Sequence, residues 1–296
     1  MQTIDGKYDL RVKGSATDRS TFKGVVKSYR TSIATLPEGD LPPGVINDLS
    51  AATWRSKGHL WDLFYFINVM DNRLRRTARV LDFGCGFGFF SALLAHDGFQ
   101  AFGLDIATDT HPQVSNKEGS MPLYHNREYL PQIWNAISEK DDVDFAFYDS
   151  RTIPYPDDYF GGVVANGVLE HIPPNELGSI LSEIRRVLTP GGKFFVFHAP
   201  RRRSYAEHLA RLLGIGHHDV LFEDKEFAEL LTGQGFIINY IGVHDMVIRD
   251  GHSLQWLVNL VEPVTRTLEK LLLKTPLRVF AHHIECYCEK PREVPD

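Results

Sequence analysis

A chain of 296 residues with 43% hydrophobic and 24% charged side chains can build one large α/β domain with additions, or two small domains. A net charge of −6 excludes extensive sequence-independent binding to nucleic acid, which needs a basic face. Cys85, Cys286 and Cys288 are too few for a disulfide framework and lack zinc-ligand spacing. No apolar run reaches the roughly 20 residues of a membrane span. Met1 to Lys7 lacks the basic-then-apolar start of a signal peptide, so the expectation is a soluble, cytoplasmic protein.

Residues 1 to about 50 are polar and irregular, broken by Leu36-Pro37-Glu38-Gly39 and Pro42-Pro43-Gly44. From about Val45 to Leu74, Trp54, Leu60, Trp61, Phe64, Tyr65 and Ile67 recur at helical spacing. The run Val80-Leu81-Asp82-Phe83 then ends in Gly84-Cys85-Gly86-Phe87-Gly88 and the helix-compatible Phe89-Phe90-Ser91-Ala92-Leu93-Leu94. A buried strand, a tight loop and a helix start are expected here. Glycines let such a backbone turn sharply and approach a ligand, and the helix start offers unpaired N–H groups. A dinucleotide loop would place its third glycine at position 89, which is phenylalanine here.

A second strand, Gln100 to Asp105, closes on an acid suited to ribose hydroxyls. Residues 106–141 hold three X-Pro breaks and a helix from about 131 to 138. Val143 to Asp149 is a third strand, followed by Ser150-Arg151-Thr152-Ile153-Pro154-Tyr155. Strand four, Gly162 to Asn166, leads to Leu169-Glu170-His171-Ile172 and an amphipathic helix opened by Pro173-Pro174. That helix ends Arg185-Arg186-Val187-Leu188-Thr189-Pro190-Gly191-Gly192 before strand five, Lys193 to His198. A helix near 222–231, a sixth strand from Gly235, a helical stretch 254–273 interrupted at Pro263 and a closing strand 281–288 complete the pattern.

Between about Leu74 and Pro200 these segments, in this order, resemble the class I S-adenosylmethionine (SAM)-dependent methyltransferases of the small-molecule, ubiquinone-biosynthesis-like type. The carrying motifs are the acid before Gly-x-Gly-x-Gly, the Asp149-to-Tyr155 stretch, Leu169-Glu170-His171-Ile172 and the Arg185-to-Gly192 segment. One departure is Gly161, where the family usually has an aspartate. The resemblance implies a doubly wound, Rossmann-like α/β fold with a seven-stranded sheet of order 3-2-1-4-5-7-6, the last strand antiparallel, and helices on both faces. It also implies a helical cap over 1–74 and a catalytic domain over 75–296, with a substrate-side insertion near 199–220 and a helical one near 250–278.

The resemblance implies SAM as cofactor and S-adenosylhomocysteine (SAH) as product, with no metal. It places Asp82, Gly84, Cys85, Gly86 and Gly88 around the methionine part and Asp105 and Ile106 at the ribose. Asp149 and Ser150 go to the adenine, and Asn166 lies at the mouth. Proton abstraction near neutrality suits histidine, which makes His198, His217 and His171 the base candidates. Arg201, Arg202 and His218 are substrate candidates, the arginines as an anion clamp. The expected activity is methyl transfer to a small-molecule acceptor, at oxygen first, and anionic, sugar-linked or lipid-linked. The rival is a SAM-binding subunit without activity. The expected state is a monomer or homodimer with no nucleic-acid partner, and peripheral membrane contact stays open through the 254–273 helix, with packing or dimerisation ahead of it.

Overall fold

The computed structural model describes residues 57–106, 129–214, 218, 220–247 and 255–292, together with residues 24, 27, 29 and 31. Seven strands form one sheet of order β3-β2-β1-β4-β5-β7-β6, as the sequence implied. The described chain divides into two compact units that part after Ser150.

In the first unit, α1 (Lys57–Asp71) precedes β1 (Arg79–Phe83), α2 (Phe89–His96), β2 (Gln100–Ile106), α3 (Leu130–Asp141) and β3 (Val143–Tyr148). The three strands run parallel, β1 in register with β2 and β2 with β3. Val80, Leu81 and Phe83 are buried, as are Ala101, Phe102 and Leu104. Such continuous apolar runs are what parallel strands show when both faces are covered. β3 is half-exposed along most of its length, in keeping with an edge position.

The second unit holds β4 (Phe160–Asn166), a 3₁₀ turn (Leu169–His171), α4 (Pro174–Val187), β5 (Leu188–Pro200), α5 (Tyr205–Leu213), α6 (Asp224–Gly233), β6 (Ile237–His244), α7 (Gln255–Leu272) and β7 (His283–Glu289). β4 and β5 pair in parallel, and β7 runs antiparallel between β5 and β6. α4 buries Leu177, Ile180, Leu181, Ile184 and Val187, the stripe its spacing predicted. Strand five begins earlier than expected. Leu188 already pairs with Phe160, and residues 189–192 bulge out before Lys193 meets Gly162. α7 also differs, since the helix continues through Pro263 and loses one N–H from its ladder there. Its Leu260, Val264 and Leu271 are exposed to 58–70%, so the described residues leave this apolar row uncovered. None of the described helices is long and apolar enough to cross a membrane. The expected N-terminal cap falls largely outside the described residues, α1 apart.

Candidate active site

The loop after β1 is built from backbone. Gly84, Gly86 and Gly88 take φ of 75°, 51° and 76°, the left-handed region that side chains rarely adopt. A Cβ at Gly88 would lie 2.6 Å from the Phe145 ring, and one at Gly103 would lie 2.3 Å from it. The N–H groups of Gly84 and Cys85 donate to the Leu104 carbonyl at 2.8 and 3.1 Å, which ties the loop to β2.

Asp105, at the end of β2, holds the same loop from below. Its Oδ2 accepts from Gly86 N–H and its Oδ1 from Ile106 N–H, both at 2.7 Å. A carboxylate oxygen has a second lone pair, so this posture leaves acceptor capacity for ligand hydroxyls. Asp82 is buried, and Ser91 Oγ–H donates to its Oδ2 at 2.7 Å. Burial pushes the Asp82 carboxyl up to about 7, the Ser91 hydroxyl opposes this, and the nearby charge of Asp105 adds to it. A cation brought to this carboxyl would offset its desolvation.

Two residues that the sequence reading passed over complete the cradle. Trp134 Nε1–H on α3 donates to the Gly86 carbonyl at 2.9 Å and stacks on Phe145 at 5.0 Å. Tyr29 O–H donates to the Phe87 carbonyl at 3.1 Å, and its ring meets Phe89 edge-on at 4.9 Å. At the end of β3, Asp149 is exposed and Ser150 turns the chain with φ of 65°. A groove of about 410 Å³ runs along α3 and β3 past Pro131, Asp142 and Val143. It reaches the amino end of β3, whereas the loop and the acids occupy carboxyl ends, where open α/β sheets bind ligands.

Histidines cluster at strand ends of the second unit. His198 sits in a β-bulge of β5 with φ of 56°, and its Nδ1 lies 2.8 Å from Asn166 Oδ1. Its Nε2 faces Asp245 Oδ2 at 3.8 Å. His244 ends β6 and His283 opens β7, paired across the ladder. Both put Nδ1 within 2.8 Å of the same Asp245 oxygen.

A second group surrounds Glu207. Ser204 caps α5 by accepting from Glu207 N–H at 3.1 Å, and Ser204-x-x-Glu207 is the sequence of a capping box. In that motif the glutamate reaches back to the cap. Here it takes the His218 ring Nδ1 at 2.7 Å and the His218 N–H at 3.0 Å instead. Burial raises the Glu207 pKa, but the hydrogen bond and charge of His218 outweigh it and leave the carboxylate below its usual range. His171 is exposed, with its ring 6.0 Å from that of His218. Glu170 beside them is buried and pushed up to about 7, chiefly by burial. His217 lies outside the described residues.

The arginine clamp needs correction. Arg201 is 3% exposed and binds Asp224 with two bonds of 2.7 and 3.0 Å. Its remaining nitrogen donates to the carbonyls of Val279 and Ala281. Such a guanidinium is a structural pin, with its donors already engaged inside the chain. Arg202 pairs with Glu226 and Arg203 with Glu223 at the surface.

Residues 81–196 match a family described as "Methyltransferase domain". This segment is a methyltransferase domain. The chain is 30% identical over 148 residues to a ubiquinone biosynthesis O-methyltransferase of Xanthomonas oryzae pv. oryzae, covering 48% of this chain and 54% of that one. It is 29% identical over 132 residues to a sterol 4-C-methyltransferase of Caenorhabditis elegans, covering 45% and 34%. It thus spans between a third and just over half of the length of these curated relatives. Among solved structures, the Haemonchus contortus phosphoethanolamine N-methyltransferase 2 in complex with SAM shares the fold, with TM-score 0.54 and 18% identity over 90% of this chain and 60% of that one. A methyltransferase domain of this fold would take SAM, which would supply an electrophilic methyl group on a sulfonium. The loop fits such a ligand, because a Cβ at Gly86 would meet nothing within 4 Å, which leaves open backbone there, and a buried carboxyl, Asp82, stands at the root of the loop.

Proposed function

We propose that this chain transfers the methyl group of SAM to an oxygen of a small-molecule acceptor. The observation that carries the cofactor half is the Asp105 carboxylate bridging Gly86 and Ile106 at 2.7 Å, a preset receptor at the end of β2. Asp82, Gly84, Cys85, Gly86 and Gly88 would hold the methionine part, Asp105 and Ile106 the ribose, and Asp149 and Ser150 the adenine. Displacement at a sulfonium needs position above all, and a base only when the acceptor must lose a proton.

For that base the pair His218–Glu207 is the strongest candidate. A buried carboxylate held below its usual range orients one ring nitrogen at 2.7 Å, which fixes the tautomer and stabilises the imidazolium formed on proton transfer. An oxygen acceptor is the kind that requires such a group, and an O-methyltransferase is among the relatives. Glu207 comes into this role from the structure; His218 moves to it from substrate contact. His171 is a neighbour of the pair rather than its centre.

Radiolabelled methyl transfer from SAM across hydroxylated acceptors tests the reading. With an acceptor in hand, His218→Gln should lower kcat by about 10²–10⁴-fold and flatten the acid limb of the pH profile, with SAH affinity unchanged. A wild-type rate in that variant would remove the base, and SAH binding without turnover would favour a non-catalytic subunit. The exposed row on α7 is the feature that speaks for such a partner-bound role.

A further inference from the structure

Three strand ends bring three imidazoles and a carboxylate together in the second unit. His198 comes from the bulge of β5, His244 from the last position of β6 and His283 from the first of β7. Asp245 follows His244 directly. One ligand atom from each lies within 4.8 Å of all the others. The side chains are 4–15% exposed, so the group is recessed yet reachable from solvent.

Hydrogen bonding alone fits His198 poorly. Asn166 Oδ1 only accepts, so the His198 Nδ1 facing it at 2.8 Å carries the proton. The Nε2 of a neutral His198 then directs a lone pair at the Asp245 carboxylate, 3.8 Å away. Lone pair against carboxylate is repulsive unless a positive charge stands between them. His244 and His283 aim their Nδ1 atoms at the same oxygen from 2.8 and 2.7 Å. Three ring nitrogens thus converge on one carboxylate oxygen, and the second nitrogen of His198 is already oriented by an acceptor, as metal-binding histidines require. The backbone is also bent to this purpose. His198 and Asp245 are both non-glycine residues in the left-handed region, at φ of 56° and 62°.

We propose that His198, His244, Asp245 and His283 bind a divalent transition-metal ion. Three imidazoles with one carboxylate suit zinc, iron(II), cobalt(II) or nickel(II) and disfavour magnesium and calcium, which prefer oxygen shells. A tetrahedral zinc shell needs ligand atoms about 3.3 Å apart, within reach of these side chains by small χ rotations. Asp245 would balance half the charge of the ion, and the ion would fasten β5, β6 and β7 together. The ion also occupies the lone pair that would make His198 a base, in accord with His218 taking that role. The site does not rest on the methyltransferase reading.

The test uses the full chain, stripped with a chelator and titrated with zinc chloride by calorimetry. One equivalent is expected to bind, and cobalt(II) in its place should give visible d–d bands. Asp245→Asn and His283→Gln should each weaken zinc binding by more than about tenfold and erase those bands, with SAH affinity unchanged. Should the variants fail to fold, zinc X-ray absorption on the wild type decides instead, with three imidazoles expected in the outer-shell scattering. Folded wild type that takes up no zinc would overturn the site. So would equal zinc affinity in both folded variants, which would move the ion to another cluster such as Glu170, His171 and His218.

Discussion

In residues 79–106 the chemistry rests on backbone: three glycines with positive φ, two N–H groups on one carboxylate, and a strand end that returns to the loop. In residues 198–283 it rests on side chains drawn from β5, β6, β7 and the segment after α5. A backbone device occupies consecutive positions, so its spacing is visible in sequence. A side-chain device is assembled by topology from residues scores of positions apart and is visible only when the strands are laid side by side.

This difference sorts what could be read in advance. The glycine loop was legible because it rests on local grammar, and the sheet order followed from the family resemblance that such grammar carries. His244, Asp245 and His283 were passed over, although a sixth strand parallel to the others and an antiparallel seventh put their ends at one edge. Counting histidines at those ends would have found them. Glu207 was hidden for another reason. Its Ser-x-x-Glu setting has an ordinary explanation as a helix cap, and the structure departs from it. Arg201-Arg202-Arg203 misled because charge in sequence says nothing of the partner. Asp224, Glu226 and Glu223 arrive from the turn and helix that follow.

The backbone half should be the harder to perturb without loss. Gly88→Ala combines a left-handed φ with a Cβ 2.6 Å from the Phe145 ring. We expect it to lower stability by about 2–4 kcal/mol in denaturant unfolding and to abolish SAH binding. Retained SAH binding would mean that the loop is less tightly defined than its geometry indicates.

In the side-chain half, Arg201→Ala should cost about 2–4 kcal/mol, because it strips the partner from Asp224 and leaves the carbonyls of Val279 and Ala281 without their donor. Its SAH affinity should stay at the wild-type value, which separates a pin from a ligand contact. Arg202→Ala, at an exposed pair, should change stability by less than about 1 kcal/mol. An anionic acceptor whose KM rises only in the Arg202 variant would restore part of the clamp.

A smaller effect is set by pH. Asp97 is 3% exposed, and its pKa rises from 3.8 to about 7, through burial and then the charge of Asp71, with Arg76 opposing. Between about pH 4 and 7 the folded chain keeps a proton that the unfolded chain has released, so stability falls as pH rises through that window. Asp97→Asn should remove this slope. Melting curves should show it more stable than wild type at pH 8 and nearly equal at pH 4. A parallel pH dependence in both proteins would assign the slope to Asp82 and Glu170, which are raised in the same direction.

The most direct measurement is calorimetric titration of the wild type and of Asp105→Ala with SAH. Asp105 is the carboxylate that accepts from the loop N–H of Gly86 and, in the proposed reading, receives the ribose. One-to-one binding by the wild type, weakened about 10–150-fold in the variant, is the expected result. Folded wild type that ignores SAH, or a variant that binds it as tightly, would contradict the assignment of the glycine loop to the cofactor.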